Sequence, residues 1–291
     1  MNYRHHYHAG NYADVFKHAL LRQLVAAMQR KEKGFLYLDT HAGRGGYDLS
    51  TTTMLPDGRE RAPEWPAGIG RLWDAANLPA SLAVYVAAVK EFNARRTGAG
   101  CELHYYPGSP WIVQAALRPQ DRAALCELRE DDAEALDIAF GREVRVKVHA
   151  MDGYVALKAM LPPPEKRALV LIDPPFESAA EFADIRMGLR DALQRFPSGV
   201  YAIWYPITER AKSDRFIAEI AASPFAPPTV CAELQIAGDS AEVRMKGCGL
   251  LVLNPPWRID EEFRAVLPAL VEKLQLDAGA SARVSWPVPE R

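Results

Sequence analysis

With 291 residues, a formal net charge of −2 and 49% hydrophobic residues, the chain has the composition of an ordinary globular protein with a sizeable core. The near-neutral charge excludes a broadly polycationic nucleic-acid binder, although not a local basic patch. No apolar run is long enough to cross a bilayer, MNYRHHYHAG lacks the apolar core of a secretory signal, and Cys101, Cys126, Cys231 and Cys248 form no CxxC pair; a cytoplasmic protein with reduced, mostly buried thiols is expected.

Asn11 is placed to cap a helix from about Tyr12 to Lys33, with Val15, Phe16, Ala19, Leu20, Leu24 and Met28 as its apolar stripe and Gly34 as its stop. The first 33 residues hold Arg4, Lys17, Arg22, Arg30, Lys31 and Lys33 against only Asp14 and Glu32, which predicts a local basic patch. FLYLD (35–39) reads as a buried strand leading into the glycine-rich THAGRGG. From about Ser50 to Tyr106 a Pro/Gly-rich segment and helical patterns near Gly70–Trp73 and Leu82–Phe92 interrupt the rhythm. This stretch reads as a small helical insertion whose six basic and six acidic residues balance.

An alternation follows. Ser109 and Pro110 suit the N-cap and first position of a helix reaching about Leu117. Strands are expected at 123–128, 144–150, 168–173 and 200–206, with helices at 131–140, 154–160, 179–195 and 209–222 between or after them. CAELQIA and GCGLLVLN suggest a hairpin, 260–274 a helix, and RVSWPV a short β-like end. Strands alternating with helices predict an α/β fold with a parallel sheet covered on both faces.

Three features at expected strand ends carry chemistry. Asp39, Gly43 and Gly45 have the spacing D-x-x-x-G-x-G, which suits the amino-acid end of S-adenosylmethionine better than a dinucleotide; the bland reading is a tight turn. Glu127 ends the next strand, where a carboxylate accepts from ribose hydroxyls, or else is a surface glutamate beside Arg129. Asp152 and Gly153 can receive the adenine of a cofactor, or simply cap a helix.

The sharpest signal is Asp173-Pro174-Pro175-Phe176, after a strongly apolar strand. Prolines withdraw ladder donors, so the chain must leave the sheet, and the Pro174 carbonyl is left to accept. An aromatic amino group is a weak nucleophile because its lone pair is delocalised. The Asp173 carboxylate and the Pro174 carbonyl can hold both of its N–H bonds and aim the lone pair at a methyl donor. Phe176 can stack on the base, a contact of about 1–3 kcal/mol. Asn254-Pro255-Pro256-Trp257 repeats the pattern, but it closes the expected C-terminal hairpin. If its strand runs antiparallel, it ends on the edge away from the cofactor, and NPPW is a structural turn with Trp257 packed in the core or rim.

At the N-terminus, His5, His6 and His8 lack the Cys or paired carboxylates of a familiar metal set, so no metal is assigned. Lys17, His18 and His41 can meet the methionine carboxylate of the cofactor, while Tyr3, Arg4, His5 and His6 can reach over a nucleic-acid substrate.

Together YRHHYHAGNYADVFKH, LYLDTHAGRGGYDL, YYPGSP, IDPPFE, YAIWYP and NPPW closely resemble the bacterial RlmJ family across essentially the whole chain. The resemblance implies a Rossmann-like S-adenosylmethionine-dependent methyltransferase sheet with helices on both faces, formed by residues 1–49 and 107–291, with a helical insertion at 50–106. It implies N6 methylation of one adenine of 23S ribosomal RNA, of the adenine 2030 type, with Asp173 catalytic alongside Pro174 and Phe176. Cofactor contacts then fall on Lys17, His18, His41, Ser109, Glu127, Asp152, Gly153 and Asp173, and Tyr3 falls on the substrate side. No obligatory protein partner is evident and a monomer is expected. Amino methylases often carry Tyr where this chain has Phe176, which stacks but has no hydroxyl.

The alternative is a DNA adenine-N6 or cytosine-N4 methyltransferase, which shares the chemistry. A nicotinamide-dependent oxidoreductase is opposed by the incomplete GxGxxG and by the DPPF motif. A noncatalytic RNA-binding protein on the same fold is opposed by the intact Asp173 and glycine loop.

Overall fold

The computed structural model describes residues 7–51, 53–54, 60–98, 102–178, 180–238, 241 and 243–290. In chain order the elements are α1 (Tyr12–Met28), β1 (Leu36–Asp39), β2 (Gly46–Asp48), β3 (Thr53–Met54), β4 (Glu60–Arg61), α2 (Gly70–Trp73), α3 (Ala80–Thr97), β5 (Tyr105–Pro107), α4 (Ser109–Gln114), β6 (Arg122–Glu127), α5 (Glu130–Phe140), β7 (Val146–Ala150), α6 (Gly153–Ala159), β8 (Ala168–Ile172), α7 (Glu181–Arg195), β9 (Val200–Ile207), α8 (Arg210–Ala221), β10 (Thr229–Gln235), β11 (Gly247–Leu253), α9 (Ile259–Leu274) and β12 (Ser281–Val288).

Eight strands form one sheet in the order β12-β10-β11-β9-β8-β1-β6-β7. The run β9-β8-β1-β6-β7 is parallel. The chain moves outward from β1 to β6 and β7, then crosses back to β8. The switch point therefore lies between β1 and β8, where open α/β sheets bind ligands beyond their carboxyl ends. Asp39 and Asp173 stand on either side of it. β11 runs antiparallel to β9 and is inserted between β9 and β10. This is a Rossmann-like sheet with helices on both faces, as expected.

The apolar runs are continuous because both faces are covered. Leu169 and Leu171 of β8 enter a core with residues of α1, α3, α4, α5 and α9, while Ala168, Val170 and Ile172 enter the opposite core under α6, α7 and α8. Leu82, Tyr85, Val86 and Val89 of α3, spaced for one helical face, pack into the same core as α1. β2 and β5 pair antiparallel and bring the two ends of the 50–106 stretch together.

Three local expectations are corrected. α1 stops at Met28 rather than Lys33, and Gln29 ends it in the αR region. The residue capping α4 is Gly108, one position before the expected Ser109, whose hydroxyl is donated to Asp39 Oδ2 at 2.6 Å instead. Trp257 is not packed away; it is 72% exposed.

Two charges of the expected basic patch, Lys17 and Arg30, lie far apart along the line of α1. α1 crosses one face of the sheet from edge to edge. Lys17 near its start faces the end of β8, whereas Arg167, just before β8, donates to the Met28 carbonyl at its far end. Lys17 is buried and Arg30 pairs with Glu262, so neither of these two charges stands free on the surface, and Arg4 lies outside the described residues.

Candidate active site

Asp173 follows β8 directly, and its Oδ2 accepts from Lys17 Nζ at 2.5 Å. Lys17 Nζ is also 3.0 Å from Asp14 Oδ1, one helical turn away, and Asp14 Oδ2 accepts from the Gly10 amide at 3.0 Å. α1 is held in place for this by Asn11, whose side-chain oxygen accepts from the amides of Ala13 and Asp14, both at 3.0 Å. Burial by itself would pull the Lys17 ammonium down, but Asp14 and Asp173 outweigh it and hold it well above its ordinary value. Lys17 therefore stays charged and fixes one oxygen of Asp173.

Beyond Asp173 the two prolines carry the chain out of the sheet, and no donor among the described residues takes the Pro174 carbonyl. Phe176 has φ +50°, a left-handed conformation that costs a bulky residue about 1–2 kcal/mol. Packing offsets that strain. The Phe176 ring lies 5.1 Å from Phe182 and 5.7 Å from Trp204, and Phe182 lies 4.7 Å from Phe216.

Asp39 is fully buried, accepting from Tyr37 and Ser109 at 2.7 and 2.6 Å; burial raises its pKa to about 6 against those bonds. Glu127 accepts from the Gly43 amide at 2.9 Å through Oε2 and from the Arg129 amide at 2.8 Å through Oε1. It thereby clamps the glycine loop, where Gly43 has φ +59°, and burial raises its pKa. Asp152 caps α6 with Oδ1, accepting from Tyr154 at 2.7 Å, so Oδ2 remains for a ligand. Gly153 is dictated by close approach: a Cβ there would lie 2.1 Å from the Thr40 carbonyl oxygen. His41 stacks edge-on to Tyr154.

One cleft of about 1350 Å³ joins these groups. Lys17, His18, His41, Ser109, Glu127, Asp152, Gly153, Asp173, Pro174 and Phe176, all singled out in the sequence, line it together. Tyr3, Arg4, His5 and His6 lie outside the described residues, but Tyr7 lines the same cleft with the Arg61 guanidinium 3.4 Å over its ring. Asp14, Tyr154 and Trp204 also line it and were missed. The three-residue spacing of Asp14 and Lys17 on one helix was the available signal for the first.

The second proline motif is elsewhere. Because β11 is reversed, Leu253 pairs with Tyr201 near the start of β9, and Asn254 donates to the carbonyls of Pro197 and Gly199 at 2.7 and 2.8 Å. NPPW thus sits on the edge opposite Asp173.

Residues 32–288 match the family described as "Ribosomal RNA large subunit methyltransferase D, RlmJ". The chain is 40% identical over 290 residues to ribosomal RNA large subunit methyltransferase J of Escherichia coli K12, and 39% identical over 290 residues to the protein of that name from Haemophilus influenzae, covering 100% of each chain in both cases. It is also similar to the crystal structure of protein LPL1258 from Legionella pneumophila, with a TM-score of 0.84 and 34% identity over 96% of this chain and 98% of that one. A Rossmann-like sheet, an acceptor pair at its switch point and a full-length match agree: the chain belongs to the RlmJ family of ribosomal RNA large subunit methyltransferases.

Proposed function

We propose that this enzyme transfers a methyl group from S-adenosylmethionine to the N6 amino group of one adenine in 23S ribosomal RNA, the adenine 2030 type of site. The observation that carries the reading is the pair of acceptors after β8, where Asp173 is anchored by Lys17 and Pro174 lines the cleft with its carbonyl unmet by any donor among the described residues.

The lining fits the donor. Glu127 keeps acceptor capacity for two ribose hydroxyls after clamping Gly43 and Arg129. Asp152, with Oδ1 spent on capping α6, would use Oδ2 to accept from an adenine amino group. Lys17, His18 and His41 gather polar edges for an amino-acid end, and Ser109 supports that end through Asp39. When bound, S-adenosylmethionine supplies an electrophilic methyl on its sulfonium. Asp173 and the Pro174 carbonyl take the two N–H bonds of the target amino group and orient its lone pair, a positioning and electrostatic contribution. Phe176, preset by its neighbours, stacks on the base. Tyr3, Arg4, His5 and His6, which precede the cleft-lining Tyr7 in sequence, contact the RNA. Arg61 and Arg244, on the outer lining, meet the flanking strand.

The test offers labelled S-adenosylmethionine with unmodified 23S ribosomal RNA, genomic DNA and a protein extract as separate acceptors, followed by digestion. N6-methyladenosine from the RNA alone is expected. Label in DNA would keep the Asp173 chemistry and reject the RNA assignment.

A further inference from the structure

The 50–106 stretch meets the start of the chain along one wall of the cleft. Glu64, shortly after β4, holds two donors on one oxygen: its Oε2 accepts from Asn11 Nδ2 at 2.8 Å and lies 2.8 Å from His8 Nδ1. The Asn11 oxygen already caps α1, accepting from the amides of Ala13 and Asp14. Only the nitrogen end of that amide is left to face Glu64, so the cap and the carboxylate agree on its orientation. Burial pushes the Glu64 carboxyl up, but the bonds from His8 and Asn11 and the charge of Arg61 bring it below its ordinary value. Glu64 is therefore ionised at neutral pH and can only accept, and His8 Nδ1 is the donor in that contact.

Two further contacts seat the same segment. The Ile69 amide donates to the Gly10 carbonyl at 2.8 Å, and a Cβ on residue 68 would lie 2.1 Å from that oxygen, so the two backbones touch and Gly68 is required. The Arg61 guanidinium lies over the Tyr7 ring. Tyr7, His8, Asn11, Arg61 and Glu64 all line the cleft. The Glu64 side chain is 32% exposed there. On the wall of a cleft that takes RNA, a carboxylate with no other task repels phosphates.

We propose that Glu64 is a positioning residue for the RNA: it latches residues 7–11 against the 61–69 segment, so that the start of the chain is presented to the substrate from one fixed place. The proposal rests on the 23S ribosomal RNA reading above and on its assignment of Tyr3, Arg4, His5 and His6 to the RNA side. It gives the 50–106 stretch a part in substrate binding through the protein's own N-terminal segment rather than through a basic surface, in keeping with its balanced charges. The latch acts on RNA affinity and not on the chemical step, because Lys17 and Asp173 are held by each other and by the buried length of α1.

Steady-state kinetics with 23S ribosomal RNA and calorimetry with S-adenosylhomocysteine test the latch. Glu64→Ala is expected to raise KM for the RNA roughly tenfold, with kcat per folded molecule and S-adenosylhomocysteine affinity within about twofold of wild type. Glu64→Gln keeps an acceptor oxygen for Asn11 and His8 and drops the charge, so its KM is expected at or below the wild-type value. A glutamate that is only a surface charge gives the opposite sign for the alanine variant, because removing negative charge beside a polyanion lowers KM. A KM that falls or stays level in Glu64→Ala overturns the proposal, as does an equal rise in Glu64→Gln or a loss confined to kcat. Hydrogen exchange reads the latch without turnover: the Ile69 amide should exchange faster in Glu64→Ala while the interior of α1 stays protected, and unchanged exchange at Ile69 overturns the latch. Wild-type enzyme that methylates DNA alone would instead remove the RNA reading, and this proposal's substrate with it, whatever the exchange shows.

Discussion

Lys17 and Asp173 are separated by 156 residues and meet at 2.5 Å, so the first helix supplies the counter-charge to the end of β8. Asp14 and Lys17 are buried and Asp173 is partly so, and in this triad one cation serves two carboxylates. Lys17→Met leaves both acids uncompensated. It is expected to cost about 3–5 kcal/mol of stability and to abolish turnover. Adding Asp14→Asn should recover part of the stability and none of the activity, as read by urea unfolding and a methyl-transfer assay.

Asp173→Ala should behave differently. Lys17 keeps Asp14, so the fold survives while turnover falls by at least about 100-fold. Near-normal turnover would remove Asp173 from its proposed role.

Asn254→Ala is expected to lose stability and keep activity. It deletes two hydrogen bonds at a residue with φ +50°, where Asn is tolerated better than Ala. A cost of about 1–3 kcal/mol is expected, with turnover per folded molecule little changed. A loss of turnover matching Asp173→Ala, at normal stability, would show that NPPW does chemistry after all.

Asp39 predicts a pH signature. Its folded pKa, raised to about 6, exceeds the unfolded value of 3.8, so the folded state holds the extra proton between them. This group's contribution is therefore most favourable below about pH 4 and is lost as pH rises through about 6. Asp39→Asn should remove that slope. Relative to wild type, its stability should improve by about 2 kcal/mol between pH 4.5 and 7 in chemical denaturation. A parallel pH dependence in the two proteins would contradict the raised value.

The fold was legible where local pattern and tertiary demand coincide. ALVLID followed by two prolines can hardly be anything but a central strand leaving its sheet, and Glu127 and Asp152 followed from strand ends. The Lys17–Asp173 pair was not legible, because only the crossing of α1 over the sheet brings the two together. That same crossing sets Lys17 and Arg30 toward opposite ends of α1, although both belong to one basic segment in sequence. Ser109 misled for a related reason: its hydroxyl had a buried carboxylate to meet, a competitor that capping statistics do not include. The hold of Glu64 on Asn11 spans 53 residues, and nothing in their spacing announces it.

The reversed insertion of β11 shows that a four-residue signature has polarity. DPPF and NPPW each end an apolar strand in nearly the same letters, yet one opens onto the cleft and the other closes a turn on the far rim. Direction within the sheet, rather than the letters, decides which proline pair can present an acceptor to a substrate. A search for amino-group methylases by motif therefore gains most from knowing which way each matching strand runs.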